Sequence, residues 1–389
     1  MRLTEPGEPM LKLMPIYGTR PEAIKMAPII KAIEKSDQFE CVVTVTGQHR
    51  EMLDQVNELF GIKPDHDLNI IQPRQTLNSI MAKTITGLDI LFAADKPDAV
   101  IVQGDTTTST AAAIAAFYRG IPVVHVEAGL RSGDLFSPFP EEGNRKISSH
   151  ISSLHLAPTS ISKANLLREN IGVKDIVVTG NTVIDALLET VRRVVPFSDP
   201  KLQEVAEQGK EILLVTTHRR ENQGDAMVRV GKALARLADS YPNLTIVLPV
   251  HKNPVVREAV LPAILNKQNV VITEPLAYGE FTRLLSHAHL VLTDSGGVQE
   301  EAPSLGKPVL VMRENTERPE AVTAGTVRLI GTDEDHIVRE VSNLLDSAEA
   351  YAAMANAVNP YGDGRAAARS VAAIAELLNV GERIADFEF

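Results

Sequence analysis

Short runs of valine, isoleucine and leucine alternate with longer amphipathic stretches from one end of the chain to the other. The runs are continuous rather than alternating, which is typical of strands buried on both faces of a parallel sheet. Strands that alternate with helices in this way predict βαβ architecture throughout. The predicted strands are Leu11–Tyr17, Cys41–Thr46, Ala99–Gln103, Val123–Val126, Ile176–Thr179, Ile212–Thr217, Leu244–Val250, Val270–Thr273, Leu290–Thr293 and Pro308–Met312.

Pro15 interrupts the first of these runs. Proline has no backbone N–H and cannot donate to a strand ladder, so within sheets it is found at edges and bulges. We therefore expect Pro15 to lie at a sheet edge or at a bulge.

The strand-to-helix turns form two groups, separated by residues 190–209, which are charged and contain prolines as linkers do. Because 389 residues are too many for one ordinary core, two α/β domains are expected. We assign residues 1–185 and 186–364 to two Rossmann-like, doubly wound domains, and expect a helix within residues 365–389 to pack back on the first. Two such domains facing a central cleft would bind ligands at the carboxyl ends of their strands.

Composition narrows the classes of partner. The chain is 44% hydrophobic and 23% charged, with a formal net charge of -11. This acidity argues against nucleic acid or an anionic membrane as a partner. The single cysteine, Cys41, excludes a disulfide framework and indicates a reducing compartment. Because no signal-peptide pattern and no apolar run of about 18 residues is present, we expect a cytoplasmic location.

No cofactor and no metal site is expected. His287 and His289 lack a third ligand at metal spacing, and Cys41 is isolated. A G-x-G-x-x-G turn after a strand, typical of dinucleotide-binding domains, is also missing.

The most informative motif is DSGGVQEE, residues 294–301, directly after a predicted strand. A strand that breaks at Ser-Gly-Gly and restarts as a helix exposes backbone N–H groups at the positive end of the helix dipole, which predicts an anion site. Gly296 and Gly297 allow a diphosphate to approach the backbone closely. Glu301 is then a candidate to bind ribose hydroxyls. The alternative is a plain helix start with Glu300 and Glu301 on a solvated face.

Basic residues follow the first strand. Arg20 lies in the turn after it, and Lys25 lies about one helical turn further on. A guanidinium fork at this place suits a diphosphate. The alternative for Arg20 is a solvated turn residue.

Acidic residues follow further strands of the first half: Asp105, Glu127 and Glu141. Asp105 has an alternative role as helix N-cap, and Glu141 as a first-turn charge with Arg145 as its neighbour. Glu127 ends a buried strand, where a carboxylate is costly unless it is paired or used. The three carboxylates occupy equivalent positions of adjacent βα units, so we expect them to converge on one cleft. Carboxylates that are clustered raise one another's pKa and can serve as general acids and bases.

One strand of the second half runs into His218, Arg219 and Arg220. This combination indicates an anion site, and His218 is a candidate to pass a proton to a leaving diphosphate. The alternative is a surface cluster paired with Glu221. His251 follows the next strand and is more ambiguous.

Taken together and in this order, the motifs resemble those of the bacterial non-hydrolysing UDP-N-acetylglucosamine 2-epimerases. The resemblance covers nearly the whole chain and rests on Gly18-Thr-Arg-Pro-Glu, Gln103-Gly-Asp-Thr, His125-Val-Glu-Ala-Gly-Leu-Arg, Pro140-Glu-Glu, Thr217-His-Arg-Arg-Glu-Asn and Asp294-Ser-Gly-Gly. It implies a two-domain fold of the GT-B type, a homodimer, and interconversion of UDP-GlcNAc and UDP-ManNAc for cell-surface polysaccharide synthesis. The route implied is anti elimination of UDP to 2-acetamidoglucal, followed by its re-addition.

The resemblance also implies roles for single residues. The catalytic residues would be Asp105, Glu127, Glu141 and His218. The UDP ligands would be Arg20, Lys25, Phe281, Ser295, Gly296, Gly297 and Glu301. A second, activating UDP-GlcNAc site would use Gln48, Glu51, Arg74, Glu141, Arg219 and His251. Glu51 stands where the family pattern has glutamine, so weaker activation is expected.

Other functions remain open on the sequence alone. A hydrolysing relative that releases UDP and ManNAc shares the same motifs. A GT-B glycosyltransferase would need an acceptor groove, and a nucleotide-sugar binding module would not require the three carboxylates. The carboxylates Asp105, Glu127 and Glu141 favour epimerisation over a glycosyltransferase and over a binding module.

Overall fold

Residues 10–219 and 222–389 are described by the structure, a computed structural model. The chain forms two units. Unit 1 contains the residues up to Ala186 together with Tyr361–Phe389, and unit 2 contains Leu187–Pro360. No helix in the described ranges is long and apolar enough to cross a membrane.

The strands of unit 1 are β1 (Leu11–Tyr17), β2 (Phe39–Cys41), β3 (Thr44–Val45), β4 (His66–Asp67), β5 (Ala99–Gln103), β6 (Val123–Val126), β7 (Leu154–Ala157) and β8 (Ile176–Val178). Its helices are α1 (Arg20–Ile33), α2 (Arg50–Phe60), α3 (Leu77–Ala94), α4 (Thr107–Tyr118), α5 (Glu141–Ile151), α6 (Ser160–Arg168) and α16 (Ala366–Leu377). Helix α7 (Thr182–Arg192) contains the passage from unit 1 to unit 2.

The strands of unit 1 form a parallel sheet in the order β4-β3-β1-β5-β6-β7-β8, with β2 also paired to β1. The apolar runs were predicted to be buried on both faces, and β5 is buried along its whole length. Met14, Val100 and Val102 pack against Ala112 and Ala116 of α4, because small alanines allow this helix to lie close to the sheet. Helix α16 packs against α1.

The strands of unit 2 are β9 (Ile212–Thr216), β10 (Thr245–Pro249), β11 (Val270–Thr273), β12 (Leu290–Thr293), β13 (Val309–Val311) and β14 (Val327–Leu329). They form a parallel sheet in the order β11-β10-β9-β12-β13-β14. Its helices are α8 (Pro200–Glu207), α9 (Asp225–Ser240), α10 (Pro254–Ile264), α11 (Tyr278–His287), α12 (Gly296–Glu301), α13 (Pro319–Ala324), α14 (Glu334–Asp346) and α15 (Ala348–Ala355). The predicted α/β class with two doubly wound parallel sheets is confirmed.

The expectation for Pro15 was wrong, because β1 lies inside the sheet with β5 on one side and β2 and β3 on the other. Leu13 and Tyr17 accept hydrogen bonds from Val42 and Thr46, on the side of β2 and β3. By the alternation of a parallel strand, Pro15 faces the same side. The predicted strand Cys41–Thr46 is broken into β2 and β3 at this level, so the missing N–H coincides with a gap in the ladder.

Three strands escaped prediction, β4, β7 and β14. All three are short and carry polar residues, His66 in β4, His155 in β7 and Arg328 in β14, so none forms a continuous apolar run. Pairing with the neighbouring strands β3, β6 and β13 stabilises them as strands.

Candidate functional site

In unit 1, Glu127 lies directly after β6 and accepts hydrogen bonds from several donors. The ammonium of Lys25 lies 2.5 and 2.6 Å from its two carboxylate oxygens. The side-chain amide of Asn181 donates to Oε1 at 3.0 Å, and that of Gln103 donates to Oε2. The side chain is only 6% exposed. The surroundings therefore stabilise a negative charge at this strand end.

The backbone of Glu127 adopts a strained conformation. Its φ of +61° lies in the left-handed region, which few residues other than glycine adopt. The conformation is held by strand-like bonds on both sides, since Gly104 donates to Val126 and Ala128 donates to Leu156. Strain of this kind gathers at functional sites.

Asp105, after β5, is anchored by helix α5. Its carboxylate accepts from Nε of Arg145 at 2.8 Å, and its carbonyl accepts from the side chain of Asn144 at 2.8 Å. The N-cap of α4 is Thr106, whose hydroxyl accepts from the N–H of Ser109 at 3.0 Å. Asp105 is therefore not the N-cap of α4, and that alternative from the sequence is wrong. Its carboxylate pairs with Arg145 instead.

Glu141 is the first residue of α5, and its Oε2 is buried without a hydrogen-bond partner among the described residues. Arg145 does not pair with it, contrary to the alternative considered from the sequence. Instead Arg145 bridges Asp105 and the buried Glu142, at 2.8 and 2.9 Å. Glu141 thus presents a carboxylate oxygen that the described part of the protein leaves unused, as expected of a group that serves a ligand.

Glu22 stands in the first turn of α1, where an acidic residue suits the positive end of the helix dipole. In the structure it is buried and accepts from the N–H groups of Gly18 and Thr19, at 3.0 and 2.8 Å, and from the hydroxyl of Thr106 at 2.6 Å. Burial raises the pKa of Glu22, although these hydrogen bonds oppose the rise. The residue ties the turn after β1 to the turn after β5, so it links the loops that carry Arg20 and Asp105.

The other predicted residues of unit 1 are more open. Arg20 begins α1 and is partly exposed. Gln48 accepts from the hydroxyl of Thr108 at 2.8 Å. Glu51, in α2, and Arg74, whose φ is +57°, are exposed. Among the described residues, no hydrogen bond or ion pair joins the candidate activator residues of this unit to one another.

In unit 2, Asp294 is fully buried after β12 and organises the turn after β9. It accepts from the N–H groups of His218 and Arg219 at 2.9 to 3.1 Å and from the hydroxyl of Thr217 at 3.0 Å. Asn222 adds a fourth donor at 3.3 Å. Burial alone would raise the pKa of Asp294, but the hydrogen bonds from His218 and Arg219 hold it below its ordinary value.

The ring of His218 is aligned by the same carboxylate. Its Nδ1 lies 3.2 Å from Oδ1 of Asp294, while 44% of the side chain is exposed. The ring stacks against His251, with 6.0 Å between the centroids. A buried carboxylate that orients an exposed histidine is suited to proton transfer. Arg219 lies 3.9 Å from Glu317, and Arg220 and Glu221 lie outside the described residues.

The Ser-Gly-Gly turn begins α12 as predicted, with Ser295 as N-cap. A Cβ on Gly296 would lie 3.0 Å from the guanidinium carbon of Arg318, so the glycine allows the guanidinium to lie close to this helix start. Arg318 also donates to Glu300 at 2.6 Å. Sequence reasoning missed this cation, although Arg318 stands before a proline after an apolar run, as Arg20 does.

Glu301 is 7% exposed and accepts from the hydroxyl of Tyr278 at 2.9 Å. Glu300 is buried too, so the alternative of a solvated face is wrong for both. Tyr278 and Phe281 lie on the first turn of α11, where Phe281 is partly exposed. Gly297, the remaining predicted ligand, is exposed one residue into α12. The helix start thus combines a cation, two glycines and a buried carboxylate.

Two parallel α/β sheets whose strand ends carry these polar clusters define a protein of the GT-B-like class. A solved UDP-N-acetylglucosamine 2-epimerase superimposes with a TM-score of 0.91 at 48% identity, covering 98% of this chain and 100% of that one. The enzyme from Neisseria meningitidis, solved bound to UDP-GlcNAc, gives 0.83 at 46% identity, covering 94% and 100%.

Sequence comparison narrows the class to one family. The family described as UDP-N-acetylglucosamine 2-epimerase matches residues 31–375. The UDP-N-acetylglucosamine 2-epimerase of Salmonella typhimurium is 56% identical over 370 residues, which cover 94% of this chain and 98% of that protein. The Escherichia coli K12 enzyme is 54% identical with the same coverage. The chain belongs to the UDP-N-acetylglucosamine 2-epimerase family.

Proposed function

We propose that the protein interconverts UDP-GlcNAc and UDP-ManNAc by inverting carbon 2, without net hydrolysis. Family membership over residues 31–375 carries this proposal. A relative solved with UDP-GlcNAc supports the choice of substrate. The carboxylates at the strand ends of unit 1 supply groups able to move protons.

The chemistry needs no redox cofactor. The proton on carbon 2 is barely acidic, so direct abstraction would leave an unstable carbanion. In the proposed route UDP leaves carbon 1 as the carbon-2 proton is removed, which gives 2-acetamidoglucal. UDP then adds back to carbon 1 while a proton reaches the opposite face of carbon 2. Opposite faces require more than one proton-transfer group.

The roles that we propose for single residues are supported by the surroundings of their side chains and by the family resemblance. Asp105, Glu127 and Glu141 transfer protons and stabilise positive charge that develops at carbon 1. His218, aligned by Asp294, protonates or contacts the leaving diphosphate. Arg20, Lys25, Arg318 and the Ser295 helix start bind that diphosphate, with Glu301 on the ribose and Phe281 near the base.

Proton NMR of the purified protein with UDP-GlcNAc in deuterated water tests the proposal. UDP-ManNAc with deuterium at carbon 2 is expected. Free ManNAc and UDP would overturn it in favour of hydrolysis. An unchanged spectrum would exclude both and favour a glycosyltransferase or a binding module.

Amide variants test the carboxylates. Asp105→Asn and Glu127→Gln should keep UDP binding and lose turnover by roughly 10²- to 10⁴-fold, the usual contribution of general acid–base groups. Glu58→Gln, on the exposed side of α2, is the matched control and should keep full activity. Loss of the folded state in either test variant would make that carboxylate structural.

We also propose activation by UDP-GlcNAc at a second site with Gln48, Glu51, Arg74, Glu141, Arg219 and His251. Glu51 places a negative charge near an anionic ligand, which weakens binding. Glu51→Gln should therefore shift the UDP-GlcNAc dependence of the rate to lower concentrations. An unchanged rate curve would remove Glu51 from this site.

The assembly proposed is a homodimer. Large apolar side chains are exposed on α3, α4 and α5, which pack side by side: Ile90, Phe117, Tyr118 and Ile147. Exposed apolar groups on neighbouring helices are typical of subunit contacts. Sedimentation equilibrium should give twice the chain mass of 42.2 kDa, and a single-chain mass would contradict the proposal.

The product is proposed to supply ManNAc units for cell-surface polysaccharides. This extension rests on the resemblance of the motifs alone. Deletion of the gene should remove ManNAc from hydrolysed cell-surface polymers, and its persistence would contradict the assignment.

A further inference from the structure

Among the described contacts, the ring of His125 in β6 makes one hydrogen bond, and that bond defines which ring nitrogen carries the hydrogen. The residue is 1% exposed, and Nε2 lies 2.7 Å from the carbonyl oxygen of Gly104. Because a carbonyl only accepts, Nε2 carries the hydrogen. Nδ1 is buried without a partner among the described residues. A bare lone pair there costs less than an unpaired N–H⁺, so the ring is the neutral Nε2–H tautomer.

This bond holds the peptide that leads into Asp105. The carbonyl of Gly104 belongs to the same peptide group as the N–H of Asp105, and His125 is its one hydrogen-bond donor in the described part of the chain. The N–H of Gly104 donates to Val126 at 2.9 Å. Gly104 has a φ of +67°, which glycine adopts readily. Strand β6 thus fixes both polar groups of this turn.

The same turn lies beside Glu127. A Cβ on Gly104 would lie 3.6 Å from Oε2 of Glu127, so this carboxylate oxygen lies next to the turn, about one side-chain atom away from its backbone. A rotated peptide would displace Asp105 and change the packing against Glu127. Asn144 and Arg145 also donate to Asp105, but among the described hydrogen bonds neither donates to the Gly104 carbonyl.

We propose that His125 is a positioning residue for the epimerisation, which fixes the Gly104–Asp105 peptide and through it the arrangement of Asp105 and Glu127. The inference rests on the proposed function, because it assigns His125 a part in that reaction. His125 donates one hydrogen bond and exchanges no proton with substrate.

His155 provides an internal comparison. It is the register partner of His125 on β7 and is equally buried, at 1% exposure. Its ring makes no described hydrogen bond to the Asp105 turn, and its Nδ1 also lacks a partner. Burial lowers the pKa of both rings, that of His155 to about 3. Both rings are therefore neutral near pH 7, and only the one on β6 touches the turn.

The experiment compares His125→Phe, His125→Gln and the matched control His155→Phe. Phenylalanine keeps the bulk of the ring and removes the donor. We expect His125→Phe to lower kcat by roughly 100-fold, as small displacements of catalytic groups do. The KM for UDP-GlcNAc and the affinity for UDP should stay unchanged. His125→Gln should restore most of kcat, because its amide N–H takes the place of Nε2–H, and His155→Phe should keep kcat.

The outcomes separate the inference from the proposed function. If the wild-type protein does not epimerise UDP-GlcNAc, the proposed function fails. If it does, and His125→Phe keeps the kcat of His155→Phe, the positioning role fails. The role also fails if folded His125→Gln restores nothing. If the variants do not fold, nitrogen-15 NMR of His125 in the wild-type protein still tests the inference. The Nε2–H tautomer is expected, and an Nδ1–H tautomer or an imidazolium would overturn the inference.

Discussion

Asp294 holds the turn after β9 in unit 2. The residue is fully buried, and every described partner of its carboxylate donates to it. A carboxylate can accept all of these bonds because it has no hydrogen of its own. An amide of the same shape cannot.

Asp294→Asn should therefore turn an NH₂ group toward N–H donors and release the His218 ring. We expect a loss of about 1–3 kcal/mol in the free energy of unfolding, measured with urea, together with a lower kcat. The matched control is Asp239→Asn, an exposed partner of Lys267, which should change stability by less than about 1 kcal/mol.

The pH dependence of this pair has a defined sign. Because the pKa of Asp294 in the folded protein lies below its ordinary value of 3.8, its ionised form stabilises the fold. That contribution is present above pH 3.8 and is lost as the pH falls through the lower, folded-state pKa. The advantage of the wild type over Asp294→Asn should narrow only in strong acid, and narrowing near pH 6 would contradict this explanation.

Candidate site residues could be selected where a strand ends, because the carboxyl ends of parallel strands share one edge of a sheet. Asp105, Glu127 and His218 were selected in this way, and each lies after a strand in the structure. Their partners were not, since Lys25 and Glu127 lie 102 positions apart. From the sequence, the i, i+4 spacing on a helix favoured Glu141 as the neighbour of Arg145. In the structure Arg145 forms its ion pair with Asp105 instead, because the tertiary fold brings this residue within reach.

At the scale of elements, helix α4 shows how a cap takes part in the site. Thr106 caps the helix and also donates to the buried Glu22. Thr76 caps α3 through an equivalent bond to Ser79 but has no such second bond among the described contacts. The two threonines therefore form a matched pair.

Thr106→Ala should cost more stability than Thr76→Ala. We expect about 1 kcal/mol for the loss of either cap, and about 1.5–3 kcal/mol more where the bond to Glu22 is lost. Chemical denaturation of both variants measures the difference. Equal losses would show that the bond to Glu22 contributes nothing.

The helix α16 is joined to α7 through a partly buried acid. Asp185 accepts from the N–H groups of Ala366 and Ala367 at the start of α16, at 3.2 and 2.9 Å. Burial raises its pKa from 3.8 to about 6. A raised folded-state pKa means that protonation favours folding, so this contribution is full below pH 3.8 and is lost as the pH rises through about 6.

Asp185→Asn stays neutral at every pH. Its melting temperature relative to the wild type should therefore rise as the pH increases from about 4 to 7. Thermal unfolding at several pH values measures this, with Asp239→Asn correcting for the loss of one carboxylate. A difference that does not vary with pH would contradict the expected pKa.

At the scale of the whole molecule, the chain leaves unit 1 within α7 and returns at Tyr361. The N–H of Asn181 donates to the carbonyl of Tyr361 at 2.7 Å, which joins the outgoing and returning segments. Unit 1 is thus assembled from distant parts of the sequence. We propose that α16 stabilises unit 1 and not unit 2.

Two fully buried isoleucines test this. Ile374 lies on α16 of unit 1 and Ile337 on α14 of unit 2. Substitution of each by alanine should cost about 2–5 kcal/mol through the cavity that it leaves. Hydrogen exchange with mass spectrometry should show faster exchange in β1 and α1 for Ile374→Ala, and in β9 and β12 for Ile337→Ala. Faster exchange of β9 in both variants would contradict the assignment of α16.

The sequence by itself determined the fold class, the positions of most strands along the chain, and the strand ends that carry Asp105, Glu127, His218 and the Ser295 turn. These features are local, since burial on both faces sets the apolar runs and glycine marks the turns. Only the tertiary structure decided which charges pair, why Pro15 is tolerated in an inner strand, and that Arg318 and His125 reach their partners. Such contacts join residues far apart in the chain, so no local pattern records them.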